Sequence, residues 1–345
     1  MVQREMLNFS SASVTYLMSE SSNSFYNLGP EQVLQAIESI GFDCNGSQLA
    51  LNSYENRVYQ IGIEGERPLV AKFYRPNRWK DGAILEEHLF TLELNALEIP
   101  VVPPLEFDGE TLFTHNSYRF SLYPLRGGRA PDLENMAQLK QLGRFMGRIH
   151  ALGASAPFEH RPTLDIEHFG DDSYSYLLDE GFIPPELEKA YEKVTEDLLD
   201  HIESIFESVP SASHIRLHGD CHPGNILWTD SGPHIVDFDD ARMGPAVQDI
   251  WMFLTGSRTH RKGALSEFLE GYTRFFEFDL REMAMMEGLR TLRMMHYAAW
   301  LARRWDDPAF KHAFPWFNSQ NYWEEHILSL KEQASALHEE PLQWV

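Results

Sequence analysis

Between positions 218 and 240 the chain reads His218-Gly219-Asp220-Cys221-His222-Pro223-Gly224-Asn225-Ile226-Leu227-Trp228 and, after a turn, His234-Ile235-Val236-Asp237-Phe238-Asp239-Asp240. The apolar runs Ile226-Leu227-Trp228 and His234-Ile235-Val236 flank Thr229-Asp230-Ser231-Gly232-Pro233, a turn composition that lets them pair as a hairpin. Pairing brings the loop before the first strand beside the loop after the second, so Asp220, Asn225 and Asp237 converge. Two carboxylates about 4 Å apart repel by roughly 4 kcal/mol at an effective dielectric near 20, so a cation is expected among them. Oxygen donors without a thiolate suit Mg²⁺. One aspartate is then left to orient or deprotonate a hydroxyl, and Lys72, inside an apolar strand upstream, offers an ammonium to an anionic phosphate. These are the parts of phosphoryl transfer.

Each signal has a plainer rival. Asx-rich turns are ordinary loop chemistry. His218 and His222, with Asp237 or Asp239, are also a possible ligand set for a transition metal, as in a metal hydrolase, although that arrangement leaves Lys72 and Asn225 without work. Taken alone, Lys72 reads as a solvated edge-strand lysine, and only its coupling to the downstream loops gives it a function. Cys221 is a redox-sensitive thiol or, more in keeping with its type, a small buried packing residue. Lys72, Arg75, Arg78 and Lys80 place four positive charges within nine positions. They attract a polyanionic nucleotide or pair with Glu86, Glu87 and other acids.

The elements that must position these residues can be sketched from periodicity. Pro30 and Glu31 open a helix whose apolar positions Val33, Ile37 and Ile40 share a face, and Gly41 closes it. Residues 57–63 and 69–74 read as two strands joined by a hairpin, with Lys72 in the second. Over residues 81–96 the positions Leu85, Leu89, Leu92 and Ala96 mark the apolar face of a helix. Residues 118–123 form another strand, and the Pro124 to Gly128 stretch then breaks regular structure. Helical patterns dominate beyond it, over residues 136–152, 185–209, 264–276 and 280–305. The predicted organisation is a flexible Ser/Asn-rich extension over 1–28, a small β-rich lobe over 29–124, and a helical lobe over 125–345. A cleft between lobes is where a small ligand is expected.

The chain has 345 residues, 43% hydrophobic and 12% aromatic, enough to bury a large core. Its formal net charge of −23 argues against nucleic acid as a partner. Two cysteines, Cys44 and Cys221, build neither a disulfide framework nor a zinc ribbon, which fits a reducing cytoplasm. No apolar run approaches the ~20 residues of a membrane span, so no membrane association is expected. A soluble monomer is the expected state.

These motifs carry a family resemblance. His218-x-Asp220-x4-Asn225 has the Asp-to-Asn step of a kinase catalytic loop, and Asp237-Phe238-Asp239 stands where protein kinases have Asp-Phe-Gly. HGDCHPGNILW with VDFDDARMGPAVQD resembles the aminoglycoside-phosphotransferase branch of the protein-kinase-like fold. With LNSYENRVYQ, AKFYRPNRW, ILEEH and RRWDDPAF, it closely resembles the bacterial stress response kinase A family, from about residue 30 to the carboxyl terminus. The resemblance implies an α+β, two-lobed kinase fold that moves the γ-phosphoryl of ATP to Ser/Thr of a protein. Small-molecule kinases of amino sugars, choline-like amines or homoserine-like alcohols are the alternative on the same fold.

Carried over by position, the resemblance makes Asp220 the catalytic base, and Asn225 and Asp237 the Mg²⁺ ligands, Asp237 thereby also catalytic. Lys72 becomes the contact to the α/β-phosphates, fixed by a helix glutamate, for which Glu87 is preferred over Glu86. Asp249 is expected to brace the catalytic loop through backbone N–H groups. Two departures from protein kinases stand out. The Gly-rich loop is replaced by Asn52-Ser53-Tyr54-Glu55-Asn56-Arg57, so Ser53 and its neighbouring N–H groups must cover the phosphates. Only 11 residues separate Asp237 from Asp249, so control by a phosphorylated activation segment is not expected.

Overall fold

The computed structural model of the chain describes residue 25 and residues 27–210 and 212–344. These residues form an α+β structure of two compact units. The smaller takes the described residues up to Leu92 together with Val102–Arg126, and the larger takes Glu93–Val101 and the residues from Gly127 onward.

In the smaller unit helix α1, Pro30–Glu38, starts on a proline whose fixed φ suits the first turn, and the Gln32 side chain accepts the Gly29 N–H at 3.1 Å. Strands β1 (Cys44–Ala50), β2 (Arg57–Ile63), β3 (Leu69–Phe73), β4 (Phe113–His115) and β5 (Tyr118–Pro124) form one antiparallel sheet in the order β1-β2-β3-β5-β4. Successive side chains of β3 point to opposite faces. Ala71 and Phe73 therefore join Ile61, Ile63, Phe120, Leu122 and the α1 residues Val33, Ala36 and Ile37 in the core, while Lys72 lies on the other face. Phe25 and Leu28, placed by sequence in a flexible extension, are instead buried in this same core, because their apolar surface has a sheet face to cover. The rest of that expected extension, apart from Asn27, lies outside the described residues.

Helix α2, Asp81–Ala96, has the predicted bounds but not the predicted inner face. Its buried stripe is Ala83, Ile84, Glu87, His88, Phe90, Thr91 and Leu94, while Leu85 and Leu89 are 42% and 56% exposed. The buried stripe carries polar residues that a hydrophobic period cannot register.

The larger unit holds helices α3 (Met136–Gly153), α4 (Asp172–Asp179), α5 (Glu188–Ser208), α6 (Arg258–Tyr272), α7 (Met286–Ala302), α8 (Pro308–Ala313) and α9 (Gln320–Ala336). Leu198, Ile202, Leu292, Met295, Phe310 and Trp323 are among the residues of its core. Two small ladders carry the chemistry-bearing loops: β6 (Ile215–Leu217) with β9 (Arg242–Gly244), and β7 (Ile226–Thr229) with β8 (Gly232–Ile235). Helices α3 and α6 approach so closely that a Cβ on Gly143 or Gly147 would collide with the carbonyl oxygens of Phe268 and Tyr272. Residues 93–101 sit in this unit rather than in the β-rich part that the sequence suggested. Arg216 pairs with Glu93 at 2.9 Å, Arg148 donates to the Leu97 carbonyl, and Ile235 N–H donates to Pro100 O at 2.7 Å.

Candidate active site

In the smaller unit the candidate lysine, Lys72, is held by regular structure. Lys72 sits between Val58 and Ser121 in the ladder, and its Nζ lies 3.4 Å from Glu87 Oε1 on α2, with the two side chains only 7% and 4% exposed. A buried charge without a partner is costly, so each member depends on the other. The Lys72 ammonium also lies 5.1 Å from the Tyr74 ring centroid. The Tyr74 hydroxyl meets His88 Nε2 at 2.7 Å and Tyr123 Oη at 3.0 Å, and His88 Nδ1 meets Thr111 Oγ1 at 2.8 Å. Burial pushes the Tyr74 hydroxyl well above its ordinary range, so it stays protonated in this network. Ser53 is half-buried in the loop between β1 and β2. Arg75 pins that loop, donating to the carbonyls of Glu55 at 2.9 Å and Tyr54 at 3.2 Å. Arg75 and Arg78 both reach Glu55 Oε1, at 3.1 and 3.6 Å, so part of the basic cluster is spent on an internal acid.

In the larger unit the site is built from loops held by side chain to backbone bonds. Asp249 is fully buried and accepts the N–H of His218 on Oδ2 at 2.7 Å and of Gly219 on Oδ1 at 2.8 Å. His150 Nε2 lies 3.3 Å from the same carboxylate, and its Nδ1 meets the Tyr272 hydroxyl at 2.7 Å. Burial raises the Tyr272 pKa, so that hydroxyl donates and leaves the His150 Nε2–H to the aspartate. The close α3–α6 contact therefore aims one carboxylate at the loop before Asp220. Gln248 donates to Gly219 O at 2.9 Å and accepts from Trp251 Nε1 at 3.2 Å. Gly219 has φ +85, and a Cβ there would collide with Asp240 O.

Asn225 ties the two loops together. Its Nδ2 donates to Asp220 O at 3.0 Å, and its backbone carbonyl accepts the Val236 N–H at 3.0 Å, next to Asp237. Asp237 takes the left-handed conformation at φ 62, ψ 63, which an aspartate tolerates better than most residues. With Nδ2 engaged, Asn225 presents Oδ1, and the donors at 225 and 237 are oxygens only. That set suits Mg²⁺, which takes part of its shell from phosphates and water. The rival metal site is not assembled. His218 Nε2 donates to Val236 O at 2.9 Å and its ring packs 4.4 Å from Phe238, while His222 Nδ1 accepts the Gly224 N–H at 3.0 Å. Among the described residues no group of three or more His, Cys, Asp or Glu is placed to hold a metal.

The Asp220 carboxylate is gripped by a residue that the sequence did not single out. Arg293, on α7, donates through Nη1 to Asp220 Oδ1, and His222 Nε2 lies 3.7 Å from Oδ2. Burial pushes the His222 ring down, with Arg293 adding to the effect and Asp220 opposing it. Arg293 stands 73 positions after Asp220 in an arginine-bearing helix, and no spacing marks it out. Cys221 is fully buried, and burial raises its thiol well above its ordinary range, which is the packing role rather than that of a reactive thiolate. The short segment after Asp237 is fixed by Arg161, whose Nη1 donates to Asp239 O at 2.7 Å and Ala241 O at 3.0 Å. Among the described residues no helix is long and apolar enough to cross a membrane.

Residues 47–286 match the phosphotransferase enzyme family. The chain is 42% identical over 326 residues to stress response kinase A of Escherichia coli strain K12, covering 94% of this chain and 98% of that one. It is 41% identical, with the same coverage, to a Salmonella typhimurium protein named serine/threonine protein kinase RdoA. A solved structure of amicoumacin kinase in complex with AMP-PNP and Ca²⁺ shares the fold, with a TM-score of 0.67 at 17% identity, over 91% of this chain and 96% of that one.

Proposed function

This chain belongs to the phosphotransferase enzyme family and within it to the stress response kinase A group, and on that premise we propose that it phosphorylates Ser or Thr hydroxyls of a protein, using Mg-ATP. The reading also takes it to act as a cytoplasmic monomer, with residues 29–124 serving the nucleotide and 125–345 carrying the catalytic and metal-binding loops. The observation that carries the proposal is the bracing of Asp220: Asp249 below its loop, Asn225 beside it and Arg293 on its carboxylate.

Catalysis on this reading is positioning and charge neutralisation. With Oδ1 of Asp220 engaged by Arg293, Oδ2 accepts a hydrogen bond from the acceptor hydroxyl and takes its proton as the new P–O bond forms and the bond from the γ-phosphorus to the β,γ-bridging oxygen breaks, releasing ADP. Lys72, paired with and directed by Glu87, offsets charge on the α/β-phosphates, and Ser53 with its loop N–H groups covers them. Residues 121–125 dock the adenine. Asn225 and Asp237 hold Mg²⁺, which when bound neutralises phosphate charge. A stress-response role comes from the relatives' names.

Transfer from γ-labelled ATP to a panel of proteins and, separately, to amines and alcohols tests the proposal. Expected is phosphoserine or phosphothreonine in protein, falling by about 10³-fold or more in Asp220→Asn while nucleotide binding persists. Undiminished transfer by that variant would falsify the role of Asp220. Label in small molecules alone would instead establish a second reading, a small-molecule kinase. That reading draws on the fold shared with amicoumacin kinase and on a net charge of −23 that attracts cationic acceptors.

A further inference from the structure

The Arg293 guanidinium has donors to spare at the place where an acceptor must arrive. Its Nη1 donates to Asp220 Oδ1, and this is its one hydrogen bond among the described residues. Nη2 and Nε are thus left without a protein acceptor, yet neither is a buried orphan: the side chain is 38% exposed, and both atoms keep surface open to solvent. A guanidinium holds its N–H groups in a planar fork, so the Nη2–Nε edge remains able to take both oxygens of a carboxylate. The acceptor hydroxyl must come to about 3 Å from Asp220 Oδ2. That oxygen shares its carboxyl carbon with the one Arg293 holds, so residues flanking the acceptor pass within side-chain reach of the guanidinium.

The charges at this place favour an acidic neighbour over a basic one. Asp220 and Arg293 together sum to zero. His222, 3.7 Å from Asp220 Oδ2, has its ring pushed down by burial and is neutral at physiological pH. A carboxylate beside the acceptor therefore meets a base whose charge is already cancelled, together with open guanidinium donors. An ammonium finds that base already paired and the cation facing it. The net charge of −23 repels an acid at long range, but salt screens exposed charges beyond about 8 Å, inside which the Arg293 fork acts.

Resting on the protein-acceptor reading above, we propose that Arg293 selects the acceptor: the Ser or Thr that is phosphorylated stands beside an Asp or Glu whose carboxylate docks on the Nη2–Nε edge while Nη1 keeps Asp220 in place.

Phosphosite mapping tests this selection. A dephosphorylated bacterial lysate, heated to inactivate its own kinases, is incubated with the full chain and Mg-ATP, and sites absent from an Asp220→Asn control are identified by mass spectrometry. Wild type should enrich Asp and Glu over Lys and Arg beside the acceptor. For a synthetic peptide copied from such a site, kcat/KM should exceed that of its Lys-substituted twin by about tenfold. The ratio should fall to about unity in Arg293→Gln and invert in Arg293→Glu. A purely structural arginine would lower transfer to both peptides alike, and an unchanged ratio would overturn the assignment, as would wild-type sites without acidic enrichment. Should Arg293→Gln lose all transfer, Arg293→Lys keeps a cation on Asp220 without the fork; its ratio should drop severalfold, and a ratio equal to that of wild type would count against the selection. No sites above the control would remove the protein-acceptor reading itself, and this inference with it.

Discussion

The two units hold their candidate functional groups by different means. Lys72 is fixed by regular structure, a central strand and a helix, and its bond to Glu87 runs side chain to side chain. Asp220, Asn225 and Asp237 stand on loops, and the groups that fix those loops are buried side chains grasping backbone: Asp249 on His218 and Gly219, Gln248 on Gly219, Arg161 on Asp239 and Ala241. Altering a side-chain pair on a rigid scaffold changes a charge and leaves the frame in place. Removing a buried acceptor of two backbone N–H groups releases the loop itself.

The sharpest way to break this contrast is Asp249→Ala. It strands the His218 and Gly219 N–H groups and the His150 ring, each worth about 1–3 kcal/mol when buried without a partner. A fall in kcat of about 10²–10³-fold is expected, with a melting temperature lower by several degrees. Activity and melting curves near wild type would refute the bracing role. In the smaller unit Glu87→Gln should raise the KM for ATP by about tenfold, with a smaller change in kcat, and should lower the melting temperature as well, because it leaves the buried Lys72 ammonium without its counter-charge. Were it to lower kcat as Asp249→Ala does with the KM for ATP unchanged, the distinction between the two modes of support would fail.

The effect confined to stability concerns a buried carboxylate on the larger unit's scaffold. Glu282 is 1% exposed and accepts the Val247 N–H at 3.0 Å, two residues before Asp249, and burial raises its pKa from 4.5 to about 7. A carboxyl whose folded pKa lies above its unfolded one binds its proton more tightly when folded. Stability is therefore favoured at low pH and lost as pH rises from about 4.5 through 7. Glu282→Gln keeps the acceptor without the charge. It should raise the melting temperature at pH 8, by an amount reflecting roughly 2–3 kcal/mol, and change it little at pH 4.5. Parallel melting curves for the two proteins across this range would contradict the assignment.

What could be seen in the sequence follows the same division. The loop residues were visible because their types and spacing are dictated by chemistry, and the hairpin β7–β8 because its turn is. The strand around Lys72 was visible because Leu69-Val70-Ala71 and Phe73-Tyr74 flank the lysine with apolar residues. Helix α2 was visible as an element but turned the wrong way, since Glu87 and His88 are buried by pairing with Lys72, Tyr74 and Thr111 rather than by apolarity. Strand β1 escaped notice because Cys44-Asn45-Gly46-Ser47-Gln48 has no alternation to detect, and β4 because it spans three residues. Helix α4 was hidden by its length of only 8 residues, α9 by weak periodicity, and Arg293 by its distance along the chain from the group it holds.

The left-handed backbone at Asp237 limits which neighbours in sequence space this protein can visit. Glycine and asparagine are the replacements that position accepts at low steric cost. Descendants that change this letter but keep the architecture should therefore bear one of those two there, so the shape of the backbone, apart from any chemistry, already narrows the alphabet at this place.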